Sequence, residues 1–169
     1  ANFRRMDLVA QEQELPKMAG VLLDLGLSSD ELEDPEKGLS FKIDGPLDMR
    51  LGPASNEDGT TAADIVNHWT EQELVELIRE IGEERMAGRI AKAIVTARKG
   101  NPITRTLELA DIIVAAVPRS YERGRIHPAT RTFQALRIAV NDELGALSSA
   151  IQAAWNVLEV DGTLAIISD

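Results

Sequence analysis

Cysteine is absent from these 169 residues, which excludes disulfide staples, thiolate metal sites and a cysteine nucleophile, and fits a reducing compartment. Histidine occurs only at His68 and His127, too few and too far apart to suggest a metal centre. No apolar run approaches the roughly 20 residues that span a bilayer, and the opening ANFRRMDLVAQEQEL lacks the apolar centre of a signal peptide. The expectation is a cytoplasmic protein without a membrane partner. Glycine occurs twelve times but never as G-x-G, so the glycine-rich turn that brings backbone close to a nucleotide-type cofactor is missing from this stretch.

What is present begins with 44% hydrophobic residues, enough for one sizeable core or a core plus a smaller subdomain. The net charge of −10 disguises an uneven distribution. From Arg79 to Arg137 there are twelve basic and six acidic residues, whereas the rest holds six basic and twenty-two acidic. A cationic middle within an acidic chain suits a polyanion, because phosphate contacts supply most sequence-independent affinity. The competing reading is a set of solvated helix faces paired with nearby glutamates, and charge alone favours it.

The run HPATRTFQALRIAVNDELGALSSAIQAAWNVL, His127 to Leu158, carries the strongest pattern. Pro128 suits a first helical turn. Phe133, Leu136, Val140, Leu144, Leu147, Ile151 and Trp155 then recur at steps of three and four, predicting one buried stripe on a long helix. Thr130, Gln134, Arg137 and Asn141 form a second, polar row on the same element. Two strands are expected, Val21 to Leu23 before Asp24 and Thr163 to Ile167 after Asp161-Gly162. Neither alternates polar and apolar residues, so both should belong to a parallel sheet covered on two faces.

From about Leu39 to Ile126 the pattern is helical. Thr70 and Glu73 have capping-box spacing for a helix through Ile81. A second helix is predicted from Glu83 to Arg98, with Met86, Ile90 and Ile94 on one side and Arg85, Arg89 and Lys92 beside them. A third runs from Thr106 to Val117, before Pro118. Ser120 to His127, with Arg119, Tyr121, Arg123 and Arg125 close by, reads as a basic loop. The expected fold is therefore α/β, a parallel sheet with a large inserted all-helical subdomain. The division is 1–38 with 127–169 for the core and 39–126 for the insertion.

HPATRTFQALRI, with GVLLDLGLSS, GPLDMR, GEER and ITRT in the same order, resembles the bacterial ribosomal RNA small-subunit methyltransferase H family, and the resemblance covers essentially the whole chain. It implies a partial class I (Rossmann-like) methyltransferase core that uses S-adenosylmethionine to methylate N4 of a cytidine in 16S rRNA, with the small ribosomal subunit as partner. On that comparison Phe3 and Asp24 match cofactor-binding positions, and Asp24 is the candidate catalytic residue, expected near the transferred methyl. Glu31 stands where the family often has a glutamine, replacing a donor–acceptor with an acceptor-only anion. Without the resemblance, the residues favour reading Asp24 as a turn aspartate capping Leu27-Ser28-Ser29.

Candidate RNA contacts are Arg50, Arg85, Arg89, Arg105, His127, Arg131 and Arg137, since a guanidinium donates in parallel to phosphate and stays charged. Their alternatives are local. Arg85 and Arg89 would pair within their helix with Glu83 or Glu84, and His127 would serve the helix start. The resemblance also puts the glycine-rich loop before Ala1 and an SFHSLED-like segment after Ser168, with Asp169 in place of phenylalanine. This predicts an internal fragment that binds S-adenosylmethionine weakly or not at all and self-associates through exposed sheet edges. Two other functions stay open: a non-catalytic helical RNA-binding or ribosome-associated module, and an acidic protein-interaction domain.

Overall fold

The computed structural model describes residues 3–25, 31–32, 34–52, 59–118, 121 and 126–167. These form two compact units, 1–28 with 142–169, and 29–141. The expected division at 39 and 126 differs from these units in its treatment of 29–38 and of 127–141, both of which fall in the second unit. The helix in the latter stretch buries Phe133, Ala135, Leu136 and Val140 in the core of the helical unit. Among the described residues no helix is long and apolar enough to cross a membrane.

The first unit contains a short 3-10 turn Phe3–Arg5 and α1 (Met6–Glu12), then β1 (Met18–Asp24). It is completed by a long helix and a final strand described below. β1 pairs in parallel with β2 (Leu158–Ile167), as the two apolar runs predict, with Gly20 opposite Thr163 and Asp24 opposite Ile167. β2 starts earlier than expected. Its register slips between the Met18 and Gly20 pairs, where Asp161 adopts φ +67°. The expectation that both strands are covered on two faces is not met among the described residues. Only Leu23 is buried, while Leu22 is 64% exposed and Val160 91%.

The second unit is helical: α2 (Ala62–His68), α3 (Glu71–Glu76) continuing into a π-helical turn Leu77–Ile81, α4 (Ala87–Ala97), α5 (Thr106–Ala116) and α6 (Thr130–Val140). Thr70 and Glu73 close the predicted capping box, and Thr61 with Asp64 forms another at α2. Each satisfies backbone N–H groups that the first turn would leave unpaired. Residues at three- and four-residue spacing, Ile90 and Ile94 on α4 and Leu109 and Ile113 on α5, reach a common core. That placement follows directly from helical periodicity.

The helix expected from Glu83 begins only at Ala87. Gly82 lies so close to the Ile78 and Arg131 carbonyls that a Cβ would clash with both, and Glu83 follows at φ +50°. Glu84 is then buried; its Oε1 accepts the Met86 N–H at 2.7 Å and the Tyr121 hydroxyl at 2.6 Å. Burial of a carboxylate is tolerable only with such partners.

The single long helix predicted from Pro128 to Leu158 is two helices. α6 ends at Asn141, Asp142 turns left-handed at φ +45°, and α7 (Glu143–Val157) starts afresh. The break resets the phase, so Ala146, Ala150, Ala153, Ala154 and Val157 are the buried residues of α7. Leu144 and Ile151 are exposed, and Trp155 is 78% exposed, which corrects the continuous stripe. Small residues allow α7 to pack closely on α1 and the Phe3–Arg5 turn. The carboxylate of Asp142 takes Arg4 Nη1 at 2.9 Å.

Asn141 is responsible for the end of α6 in the helical unit. Its Nδ2 donates to the Met49 carbonyl at 2.8 Å and the Arg137 carbonyl at 2.9 Å, and its Oδ1 accepts the Leu51 N–H at 2.9 Å. Met49 is fully buried at φ +64°, a conformation that costs a side-chain-bearing residue free energy and persists only when surroundings enforce it. Replacing Asn141 by Ala should lower unfolding free energy by about 2–4 kcal/mol, since buried backbone groups lose partners. Urea denaturation of the variant reads this directly, and a change below about 0.5 kcal/mol, the level of a surface substitution, would show that the amide does not hold the turn.

Candidate cofactor residues and nucleic-acid interface

In the first unit, Phe3 sits on the opening 3-10 turn and lines an apolar groove of about 330 Å³ with Met6, Val9, Met18, Gly20 and Val21. Asp24 is exposed at the carboxyl end of β1, where ligands of parallel sheets collect. The two are not brought together. The groove follows the first half of β1, and at ~3.3 Å per residue Asp24 is roughly 10 Å beyond Val21. Glu31 belongs to the second unit and pairs with Lys37 Nζ at 3.0 Å. Within the first unit, the groove beside Phe3 and the Asp24 carboxylate are therefore separate features. The turn at Leu27-Ser28-Ser29 and the arginines 119, 123 and 125 lie outside the described residues.

The seven candidate RNA contacts separate into three environments. Arg50 and Arg105 are each engaged by a carboxylate, one local and one from the distant 41–47 segment. Arg50 grips Asp48 with two bonds of 2.7 Å, and Arg105 Nε and Nη2 reach Asp44 Oδ2 at 2.9 and 2.6 Å. Arg85 and Arg89, by contrast, are exposed, and neither has an ion-pair partner among the described residues. Their expected intrahelical pairing with Glu83 or Glu84 does not form: Glu83 lies before the helix at φ +50°, and Glu84 points into the core to meet Tyr121. Arg131, in the first turn of α6, neighbours that same Tyr121 hydroxyl. Burial first and Glu84 second push the Tyr121 phenol above its ordinary value of 10.0.

His127 and Arg137 mark the third environment. His127 accepts the Ala129 N–H on Nδ1 at 3.2 Å, the helix-start role, and also stacks on Phe41 with ring centroids 4.5 Å apart. Arg137 lines a cleft of about 600 Å³ between the 39–43 segment and α6, together with Phe41, Lys42, Thr130, Phe133 and Gln134. Three members of the predicted polar row thus face one cleft, while the fourth, Asn141, is a structural clamp. Sequence reasoning missed Phe41, Lys42 and the buried Glu84. A lone aromatic in an irregular segment has no periodicity, and a glutamate between two other charged residues reads as solvated.

The sequence profile of the MraW methylase family matches residues 1–168. The chain belongs to this family. It is similar to the ribosomal RNA small subunit methyltransferase H of Geobacter sulfurreducens, 51% identical across 99% of this chain and 53% of the relative. It is likewise similar to the proteins of that name from Rhodospirillum centenum, 48% identical over 98% of the chain and 49% of the relative, and Synechococcus elongatus, 53% over 90% and 49%. The chain spans about half the length of the curated relatives it matches. The resemblance read from the five motifs is therefore confirmed across the whole chain.

The loop carboxylates give this family member a pH signature. The Arg105 guanidinium bonded to Asp44, and the Arg50 guanidinium bonded to Asp48, hold both carboxyl groups below their ordinary value of 3.8. A depressed folded-state pKa contributes stability that is present above the unfolded value and lost as pH falls through the folded one. Melting temperature should thus be flat down to about pH 5 and fall below about pH 4. Arg50→Gln and Arg105→Gln should each make that acid fall shallower. Melting curves recorded against pH check this, and an unchanged acid limb in both variants would count against the pairs.

Proposed function

We propose that this chain is part of an S-adenosylmethionine-dependent methyltransferase that modifies N4 of a cytidine in 16S rRNA, acting in the cytoplasm on the small ribosomal subunit. The observation that carries the reading is the family match over residues 1–168, joined to a parallel β1–β2 pair that ends at Asp24. On this reading the α/β unit belongs to the cofactor side and the helical unit grips RNA. Phe3 and Asp24 contribute edges of the cofactor region, with Glu31 a divergent position. Asp24, at a strand's carboxyl end, is placed to accept a hydrogen bond from an amine.

Among the candidate cations, Arg85 and Arg89 carry more of the RNA contact than Arg50 and Arg105, whose guanidinium donors are already committed to carboxylates, with Arg131, Arg137 and His127 as further contacts. These 169 residues alone hold S-adenosylmethionine weakly, because no glycine-rich turn is present and Phe3 and Asp24 stand apart along β1. The open strands favour pairing with a second copy or with further strands of the same protein.

Binding of a 16S rRNA fragment should weaken steeply with salt, and Arg89→Gln should reduce the slope of log K against log salt by about 1. Salt-independent binding, or none at low salt, would remove the RNA reading. Calorimetry should give a dissociation constant for S-adenosylmethionine weaker than roughly 100 μM, about −5.5 kcal/mol. A micromolar constant would show that the chain holds a complete cofactor site.

A further inference from the structure

In a chain of net charge −10, the cleft between the 39–43 segment and α6 has two cations in its lining, Lys42 and Arg137, and no carboxylate among the described residues that line it. Its volume of about 600 Å³ falls within the ~300–1,000 Å³ usual for small-ligand sites. Thr130, Phe133, Gln134 and Arg137 come from one strip of α6, at steps of three and four, so a rigid element spaces them. Phe41 faces them from the other side. Its ring stacks on the His127 imidazole at 4.5 Å and 19°, and meets Phe133 in a T-shaped contact at 5.2 Å and 78°. His127 is itself oriented by the Ala129 N–H.

This combination is specific in its chemistry. Aromatic rings supply a stacking surface that any base can use. Gln134 offers both donors and an acceptor, which match the mixed edge of a base, and Thr130 adds a hydroxyl. Lys42 and Arg137 attract phosphate. A purely apolar ligand would gain nothing from the two cations, and a free phosphate would gain nothing from the aromatics.

We propose that this cleft is a nucleobase subsite for single-stranded RNA. A base stacks against the Phe41–His127 pair, Gln134 and Thr130 meet its edge, and Lys42 and Arg137 hold the adjoining phosphates. The inference rests on the RNA reading above and adds to it the class of ligand and the residues that take it.

The test uses single-stranded 16S rRNA oligonucleotides carrying 2-aminopurine at successive positions, because stacking on an aromatic ring quenches that base. One position should be strongly quenched in the complex. Phe41→Leu should remove the quench and weaken binding about tenfold with the salt slope unchanged. Lys42→Gln should lower the slope while the quench remains. Gln134 is exposed, so Gln134→Ala leaves the fold intact, as circular dichroism would verify, and should lessen discrimination between bases at the quenched position about fivefold or more. If RNA binds with its full salt slope but no position is quenched, or if both Phe41→Leu and Gln134→Ala leave binding unaltered, the subsite is refuted while the RNA reading stands. If the unaltered chain fails to bind RNA even at low salt, both fall.

Discussion

Asn141, only 5% exposed, answers three backbone groups with one amide, and the helical unit is organised around that junction. The Met49 and Leu51 peptides it binds belong to a loop with little regular structure of its own. That loop is otherwise secured through Leu47 N–H to the Thr104 carbonyl, Met49 N–H to the Lys37 carbonyl, and Gly45 N–H to the Thr106 hydroxyl. Buried peptide groups outside helices and sheets need partners from elsewhere. Here they come from a helix terminus, a helix start and a neighbouring loop. Each bond contributes on the order of 1 kcal/mol, yet leaving one unmade costs as much or more, so the network holds as a whole.

The same constraint shapes α6. One face of the helix, with Phe133, Leu136 and Val140, enters the core. A second presents Thr130, Gln134 and Arg137 to the cleft. Its first turn meets Gly82, where only glycine tolerates the closeness of the Arg131 carbonyl. Because one rigid element serves core, cleft and helix crossing, the polar residues of the cleft inherit the precision of the core. A loop carrying the same residues would have to order them on binding, at a cost in conformational entropy.

Periodicity made the helical unit legible. The capping box at Thr70, the burial of Ile90 and Ile94, the stop at Pro118 and the apolar β1 run all follow from spacing and local backbone chemistry. So does the parallel pairing of β1 with β2, because neither strand alternates. What spacing could not show was phase. The apolar residues from Phe133 to Trp155 continue in register across Asn141-Asp142, but a tertiary bond from Asn141 to the 49–51 peptides outweighs helix propagation there. The chain restarts with alanines inward. The start of α4 was hidden for a similar reason, since Gly82 is there for a crossing with α6 that lies far away in sequence. Asp24 was legible as a position through its strand, and its surroundings were not.

Charge shows how the candidate interface differs from its composition. The middle region holds twice as many basic as acidic residues, but the excess is not uniformly available. Arg105 neutralises Asp44, and Arg50, upstream of that region, neutralises Asp48. Each guanidinium donates at least two bonds to one carboxylate, and breaking them for a phosphate would exchange one anion for another with little net gain. Arg85 and Arg89 have no carboxylate partner among the described residues, and Glu84 beside them is committed to Tyr121 in the interior. Burying that carboxylate removes one local counter-charge from the surface where these cations lie. That is a way for an acidic protein to keep local positive potential without raising its overall charge.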